Sequence, residues 1–475
     1  MTAAKGWTGG IGKVHAHFVG IGGYGMSAIA YVLKGQGTEV TGSDVQPSSR
    51  TERLARIGVP IAYGHREENQ AGADVVVYST DVPQDNVEVL AARRRGAQVV
   101  HRSEMLARIL ESGRGICVTG THGKTTTTSM ISAILIEGGL DPSVVVGGEL
   151  DWLGGNARIG HGPIVIAEAD ESDGSFLRYH PEITVLTNAE PEHLDHYQGD
   201  FANVVAAYRT FLAGTTGKAF ICHDSPLVRE IARSSGRACS SYGLTRGGDY
   251  RAMRVVPVAG GGHRFTAIGP NGPIGRFELH IPGLHNVRNA LAAIAVADGL
   301  GVPPAVMIAA LRRFRNAARR FEVVGRGQGM TVVSDYAHHP TEIAAVLEAA
   351  RELRPQRVLA VFQPQRYART KLLFGEFAQA FRQADEVWLL DIYSPPGEAP
   401  IPGISSERLA QSMAAFGTKV HHVHGADETE ARLHEAMKPG DVVMVMGAGD
   451  VYRLAQNLGR AVEQPEVGQS GASGD

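Results

Sequence analysis

Two short stretches dominate what this chain can fold into. "HFVGIGGYGMSAIA" places Gly20, Gly22 and Gly25 between an apolar run and an amphipathic one, and "GICVTGTHGKTTTTSM" places Gly120, Gly123, Lys124 and Thr125 in the same setting. Each reads as a β-strand that turns sharply through glycine into a helix. Small residues at such a turn let backbone N–H groups surround phosphate oxygens at a helix N-terminus. The first is the G-x-G-x-x-G pattern of dinucleotide sites, which leaves a nicotinamide or flavin enzyme open. In the second, Lys124 can neutralise β/γ-phosphates and the Thr125 hydroxyl can ligate Mg²⁺. Its spacing departs from the usual loop, because Val118 stands where the first glycine is expected.

A chain of 475 residues is long enough for about three domains. Apolar runs alternate with helical stretches along most of it, the pattern of parallel sheets covered by helices. The expected architecture is α/β in three domains: a Rossmann-like domain over 1–112, a central P-loop ATPase-like domain over 113–317, and a second Rossmann-like domain over 318–475 with a disordered tail from about 463. Residues 245–284 are Gly-rich and less regular, and read as a small antiparallel addition. The basic connector "RRFRNAARR" leads into the third domain.

A net charge of −3 argues against broad electrostatic binding to nucleic acid or anionic membrane. No run approaches the length of a membrane span. The N-terminus lacks an apolar signal region, and Cys117, Cys222 and Cys239 have no metal-ligand spacing. A cytoplasmic protein with reduced thiols is expected. Acidic side chains cluster where two buried strands should end: Glu168, Asp170, Glu171 and Asp173 in "AEADESD", and Glu190, Glu192, His193 and Asp195 in "NAEPEHLDHY". Mg²⁺ takes oxygen ligands, one or two of them carboxylates. Composition does not choose among these residues.

Nine blocks in order, "HFVGIGGYGMSAIA", "GTHGKTTTT", "EADESDGSF", "TNAEPEHLDHY", "HNVRNALAA", "RRFE", "DYAHHPTE", "FQPQRYART" and "GEAPIPG", resemble the signature blocks of the Mur ligases. The resemblance implies an ADP-forming ligase of peptidoglycan precursor synthesis. ATP phosphorylates a carboxylate, an amine attacks the acyl phosphate, and a tetrahedral intermediate collapses to an amide. The branch most resembled is the one that joins L-alanine to UDP-N-acetylmuramate. The alternatives are the branch that recycles a tripeptide onto the same UDP-sugar and, remotely, an NAD-dependent oxidoreductase.

By resemblance, Gly20, Gly22, Gly23, Gly25, Met26 and Ser27 cradle the UDP pyrophosphate, and Asp44 and His65 belong to uridine binding. Ser172 and Ser175 lie near the muramoyl end. Gly120, Thr121, His122, Gly123, Lys124, Thr125 and Thr126 form the ATP loop. Asn286 and Asn289 lie on the adenine side, and Arg320 and Asp335 reach ATP from the third domain. Thr125, Glu168 and His193 would hold Mg²⁺. Lys124, His339, Arg366 and Arg369 would be catalytic, with His338 structural. An open free enzyme that closes on its substrates, as a monomer or weak homodimer, is expected.

Two departures bear on the branch and its chemistry. Gln365 stands where the family commonly has His; glutamine donates a hydrogen bond but carries no proton near neutral pH, so a positioning role is expected. Residues 194–217 contain no lysine, so the carbamylated lysine of other branches is missing. That argues for the L-alanine branch and against those adding D-glutamate, diaminopimelate or the dipeptide.

Overall fold

The structure, a computed structural model, describes residues 14–394 and 398–463. The tail expected to be disordered and the first residue of "GEAPIPG" lie outside the described residues. Three sheets account for the alternation. The first is β1 (His15–Val19), β2 (Glu39–Asp44), β3 (Ile61–Tyr63), β4 (Val75–Tyr78) and β5 (Gln98–His101), in the order β3-β2-β1-β4-β5. Every pairing in it is parallel. The order reverses between β1 and β4, and such a switch point opens a crevice at the carboxyl ends of the strands. The loop Gly20–Gly23 leaves β1 there.

The second sheet has ten strands: β6 (Arg114–Thr119), β7 (Ser143–Leu150), β8 (Gly155–Arg158), β9 (Ile164–Glu168), β10 (Ile183–Leu186), β11 (Lys218–Cys222), β12 (Cys239–Gly243), β13 (Tyr250–Pro257), β14 (His263–Gly269) and β15 (Gly272–Leu279). Their order is β15-β14-β13-β12-β11-β10-β6-β9-β7-β8. The phosphate-loop strand β6 is central, paired in parallel with β9 and β10, the two strands carrying the acidic stretches. β13, β14 and β15 follow one another across the sheet through connections too short for a parallel crossover, which makes them the expected antiparallel addition.

The third sheet holds β16 (Glu322–Gly327), β17 (Met330–Asp335), β18 (Arg357–Phe362), β19 (Glu386–Leu390), β20 (Val420–Val423) and β21 (Asp441–Met446), in the order β16-β17-β21-β18-β19-β20. β17, β18, β19, β20 and β21 pair in parallel and β16 is an antiparallel edge. β18 and β21 are buried at almost every position, as continuous apolar runs between two helical layers must be.

The chain divides into two compact units: residues up to 255 with 265–278 and 287–317, and residues 256–264 and 279–286 with those from 318 onward. Within the first unit the first two sheets share a core that includes Phe18, Ile29, Leu33, Phe176 and Tyr208. Polar contacts also join them: Arg53 donates to the Ala157 carbonyl at 2.7 Å, and the Asn156 amide donates to the Tyr24 carbonyl at 2.6 Å. Among the described residues no helix is long and apolar enough to cross a membrane.

In the second unit the helix Tyr452–Glu463 lies against β16 at two glycines. A Cβ on Gly459 would sit 2.5 Å from the Val324 carbonyl oxygen, and one on Gly325 would meet the Gly459 backbone at 2.3–2.6 Å. No side chain can move aside to relieve backbone against backbone. Gly459→Ala is expected to lower stability by about 1–3 kcal/mol through overpacking. Gly375→Ala, with nothing within 4 Å of its added Cβ, serves as the control. Urea midpoints of the two variants test this; equal midpoints would mean that the helix can withdraw from β16.

Candidate active site

In the first unit the loop after β6 is closed by its neighbours on β10. Gly120 has φ 129°, and a Cβ there would lie 2.1 Å from Thr187 Oγ1 and 2.9 Å from the backbone of Asn188. Only glycine fits. The Asn188 side chain accepts from the His122 N–H at 2.8 Å and donates to the His122 carbonyl at 2.9 Å, while Thr187 Oγ1 donates to that same carbonyl at 2.7 Å. The Glu190 N–H donates to Thr121 Oγ1 at 2.9 Å. Gly123, with φ 79°, caps the helix Lys124–Glu137, and its Cβ position lies 3.0 Å from Asn289 Oδ1. Asn289 therefore sits on the phosphate loop. Thr126 donates to Asn316 at 3.1 Å.

Lys124 folds back over this loop. Its Nζ donates to the Gly120 carbonyl at 2.7 Å, to the Thr121 carbonyl at 3.3 Å and to Glu171 Oε2 at 2.8 Å. Burial alone lowers the ammonium's pKa, but the charges of Glu171, Asp170 and Glu168 outweigh it and hold Lys124 protonated. Burial raises the Glu171 carboxyl, with Lys124 opposing. The Glu171 side chain is 2% exposed, and its Oε1 accepts no hydrogen bond among the described residues.

Beside the lysine, the Thr125 hydroxyl donates to Glu168 Oε2 at 3.2 Å, and the Gly147 N–H donates to Glu168 Oε1 at 2.9 Å. Burial pushes the Glu168 carboxyl up against these bonds and the Lys124 charge. His193 sits in left-handed backbone with φ 54°. Burial holds its imidazole below the usual range despite Glu192, Glu171 and Asp170, leaving a neutral ring with a lone pair to offer. A hydroxyl and a carboxylate in contact, with Lys124 beside them, suit a hard divalent cation and a polyphosphate.

Around the first loop, Gly20 has φ 74°, and the N–H groups of Gly20 and Ile21 both donate to the Ser43 carbonyl at 2.9 Å. Asp44 accepts from the Gly22 N–H at 2.7 Å and from the Val45 N–H at 2.8 Å, tying the loop to the end of β2. Met26 and Ser27 turn inward: Met26 is in the core, and Ser27 lies 3.3 Å from the Asn156 amide. Gly23 opens the helix Tyr24–Gly35. The Ser172 and Ser175 N–H groups donate to Asp170 and Asp173. Arg102 bridges to Asp173 at 3.4 Å, with its Nη1 3.2 Å from the Cβ position of Gly25. Nothing in the spacing of the chain marks Arg102, yet it puts a permanent cation beside the first glycine loop.

Behind this loop lies a polar network that the sequence does not announce. Glu88 is fully buried, and its carboxylate accepts from His17 Nε2 at 2.7 Å, Ser43 Oγ at 2.9 Å, His65 Nδ1 at 2.9 Å and Asn69 Nδ2 at 3.0 Å. Four donors require an ionised acceptor, so His65 donates to it through Nδ1. Nε2 has no protein partner among the described residues. His65 thus turns Nε2 away from the network, beside Asp44, whose carbonyl accepts from the Gly64 N–H at 2.8 Å.

The second unit carries the remaining candidates. Asp335, at the end of β17, accepts from the Phe321 and Ala337 N–H groups, each at 2.7 Å. Burial pushes its carboxyl up to about 6 against these bonds and the Arg320 charge. Arg320 approaches Glu342 at 3.7 Å and lies over the Tyr336 ring. Asn286 is buried and donates to the Pro282 carbonyl at 2.6 Å. His339 caps the helix Pro340–Glu352 by accepting from the Thr341 N–H at Nδ1, which puts the proton of the neutral ring on Nε2. His338 contacts the Tyr336 carbonyl at 3.0 Å and packs edge-on to that ring, a structural placement.

Arg366 is exposed and held in left-handed backbone, φ 67°, with its N–H on the Tyr393 carbonyl at 2.9 Å. Positive φ in a non-glycine residue is costly and persists where surrounding structure enforces it. Arg369 donates to the Gln365 side-chain oxygen at 3.3 Å and main-chain oxygen at 3.4 Å. Arg319, which the sequence showed only as part of a basic run, donates to the Gly447 and Gly449 carbonyls and stacks between Tyr336 and Tyr452.

The Glu88 network makes a pH-dependent contribution to stability. Burial raises the Glu88 carboxyl, but the bonds from His17, Asn69, His65 and Ser43 overcome it and hold the group at about 2, below its ordinary 4.5. Its contribution is therefore complete above about 4.5 and fades as the pH falls toward 2, by about 3 kcal/mol in all. Glu88→Gln is expected to be less stable than wild type at pH 7, with the gap narrowing below pH 4.5. Urea melts at several pH values test this; a gap independent of pH would remove the buried charge from the account.

Comparison with known proteins agrees with this geometry along the chain. Residues 15–114 match the Mur ligase family catalytic domain, residues 118–297 the Mur ligase middle domain, and residues 319–449 the Mur ligase glutamate ligase domain. A UDP-N-acetylmuramate–L-alanine ligase of Symbiobacterium thermophilum is 48% identical over 467 residues, covering 96% of each chain. One from Sorangium cellulosum is 46% identical over 468 residues, covering 97% of this chain and 98% of its own. Among solved structures, the UDP-N-acetylmuramate–alanine ligase of Thermotoga maritima superposes with a TM-score of 0.77 at 29% identity, over 94% of this chain and 99% of that one. A murein peptide ligase of Psychrobacter arcticus shares the fold, with a TM-score of 0.65 at 24% identity over 95% of this chain and 99% of that one. The chain belongs to the Mur ligase family.

Proposed function

We propose that the chain joins L-alanine to the carboxylate of UDP-N-acetylmuramate at the expense of ATP, forming ADP and phosphate, as a cytoplasmic step in peptidoglycan precursor assembly. The observation that carries the reading is the charge arrangement at Lys124: a protonated amine, a threonine hydroxyl and buried carboxylates at the mouth of a glycine loop. The names of the full-length relatives supply the substrates.

The sugar carboxylate attacks the γ-phosphorus of ATP, ADP departs, and the amine of L-alanine attacks the acyl carbon as phosphate leaves. Lys124 would exchange Glu171 for phosphate oxygens and stabilise the charge that builds on them. Thr125, Glu168 and His193 would hold Mg²⁺, which neutralises phosphate charge when bound. The contact between Thr125 and Glu168 and the neutral imidazole of His193 support that assignment. Thr121, His122 and Thr126 complete the loop's share of the ATP assignment. Asn289, expected on the adenine side, lies instead against Gly123 of the loop, and Asn286, Arg320 and Asp335 are assigned to ATP by the resemblance. His339 is assigned near the reacting groups.

Gly20, Gly22, Gly23 and Gly25 would let the pyrophosphate come close to the loop and the helix N-terminus behind it. The N–H groups of Gly20, Gly22 and Gly23 are taken up by protein acceptors, so donors would come from the first turn of the helix, with Met26 and Ser27 placing that helix and Asp44 setting the loop's shape. His65 would present its Nε2 to the uridine. Ser172 and Ser175 are assigned to the muramoyl end. Arg366 and Arg369 would bind the L-alanine carboxylate and the developing phosphate charge, work suited to planar, permanent cations.

Phosphate release from ATP and Mg²⁺ is expected only when UDP-N-acetylmuramate and L-alanine are both present, with the amide confirmed by product mass. Release that needs an L-alanyl tripeptide instead would move the chain to the recycling branch. Lys124→Ala is expected to cut turnover by at least about 10³-fold while binding of the UDP-sugar stays within about 3-fold. Unchanged turnover would overturn the phosphate-site assignment. Gln365→Ala is expected to raise KM for L-alanine by about 10-fold, the loss of one bond to a charged group, with KM for ATP almost constant. Steady-state kinetics with each substrate varied in turn checks this, and a change in the ATP KM alone would place Gln365 elsewhere.

A further inference from the structure

A cluster unrelated to the phosphate loops lies at one edge of the third sheet. β19 and β20 pair in parallel, with Leu389 opposite His422 and Leu390 opposite Val423, so both strands end at the same rim. Asp391 is the first residue past β19, and His424 the first past β20. Successive side chains on a strand alternate between faces, so His422 and His424 share one face and His421 and Val423 the other. The contacts agree. Val423 is buried among Trp388 and Leu390, and His421 stacks on Trp388 with centroids 4.3 Å apart and bonds to Glu386 at 3.0 Å. On the opposite face, Asp391 Oδ1 lies 2.9 Å from His422 Nε2 and Oδ2 lies 3.0 Å from His424 Nδ1. The two imidazoles meet edge to face at 4.7 Å.

Three donor atoms, two imidazole nitrogens and one carboxylate oxygen, thus lie within 4.8 Å of one another. Tetrahedral coordination with metal–ligand distances of 2.0–2.2 Å sets ligand atoms roughly 3.3 Å apart. The two short carboxylate contacts, one at each oxygen, need to open by only a few tenths of an ångström, and the two nitrogens, within 4.8 Å of each other, close toward that spacing. Asp391 and His424 are both more than half exposed, so their side chains can make that adjustment and an ion can reach them from solvent. The donor set is decisive for the kind of ion. A set in which two of three donors are imidazole nitrogens suits zinc, cobalt, nickel and copper, whereas Mg²⁺ takes mostly oxygen, with at most an occasional imidazole.

We propose that Asp391, His422 and His424 form a binding site for one divalent transition-metal ion of the zinc type, chemically distinct from the oxygen-rich Mg²⁺ assignment in the first unit. A bound ion ties β20, the outermost strand, to β19 and blunts an otherwise open sheet edge. The remaining coordination positions go to water. His424 is held from behind by its own N–H, which donates to Glu428 at 2.9 Å.

The test uses the full chain without an affinity tag, freed of trace metals and kept in excess Mg²⁺ to occupy oxygen-rich sites. Co²⁺ is titrated while its visible d–d absorption is followed, and Zn²⁺ binding is measured by calorimetry. Wild type is expected to bind one equivalent that the His422→Ala/His424→Ala double variant lacks. Asp391→Asn is expected to weaken binding by at least about 10-fold, the smaller end of what lost partners of a metal ligand cost. His421→Ala, on the other face of the same strand, is expected to keep the site. As a second readout, Zn²⁺ raises the melting midpoint of wild type and of His421→Ala but not of the double variant. Identical titrations for wild type and the double variant, or equal loss in His421→Ala, would overturn the proposal.

Discussion

The ion pair between Lys124 and Glu171 organises the glycine loop after β6. An ammonium buried beside carbonyl oxygens must be compensated, and Glu171 at 2.8 Å supplies the compensation. The carboxylate is itself buried, and its second oxygen takes no partner among the described residues. A polyphosphate offers Lys124 more negative charge than one carboxylate does. It can replace Glu171 without leaving the ammonium bare, while Glu171, whose pKa burial already raises, can take up a proton or turn toward water. The geometry that makes this possible is local: Gly120 packed on Thr187, and Gly123 packed on Asn289.

That locality explains what was legible in the sequence. Gly120, Gly123, Lys124 and Thr125 are close neighbours in the chain, because a strand, a turn and a helix N-terminus must be consecutive to make a phosphate cradle. The strands β6, β9 and β10 were readable as apolar runs, and their side-by-side order follows from parallel α/β topology. Gly20 to Gly25 were readable for the same reason, although the residues alone left a nicotinamide ligand open. The Glu88 network was not legible. His17 lies 71 residues away from Glu88, Ser43 lies 45 away, and no local periodicity encodes their meeting. Arg102 and Arg319 escaped notice for a related reason: an arginine on a helix or in a basic run reads as solvated until its partners are known. Asp391, His422 and His424 were invisible as a group because two different strands bring them together.

Gln365 presents a physical question that geometry narrows. A histidine there could trade a proton with the attacking amine, and glutamine cannot. In this chain Gln365 instead offers two oxygens, one from its side chain and one from its main chain, to Arg369. Arg366 is fixed by its backbone, whose left-handed conformation is tied to Tyr393. The two arginines are thus aimed by different means, one through φ and the other through a neighbouring amide. Both means are independent of pH near neutrality, so an aimed cation does not come and go with protonation as it would beside an imidazole.

The same reasoning bears on how the amine loses its proton. His339 spends Nδ1 on the N–H of Thr341, so its neutral form carries a proton on Nε2 and is a donor there. To act as a base it would have to surrender its place at the head of the helix Pro340–Glu352. Asp335, raised to about 6 by burial, has both oxygens engaged by backbone N–H groups. Free L-alanine carries a carboxylate on the same carbon as its amine, which keeps that amine more basic than a chain N-terminus, so the nucleophile must shed a proton as it binds or reacts. An acyl phosphate is also a strongly activated electrophile. A ligase that holds the amino acid by its carboxylate, and so fixes where the amine points, gains more from orientation than from a dedicated base. Replacing histidine by glutamine at 365 is compatible with that economy: it keeps the aim of Arg369 and leaves the proton to solvent or to the departing phosphate.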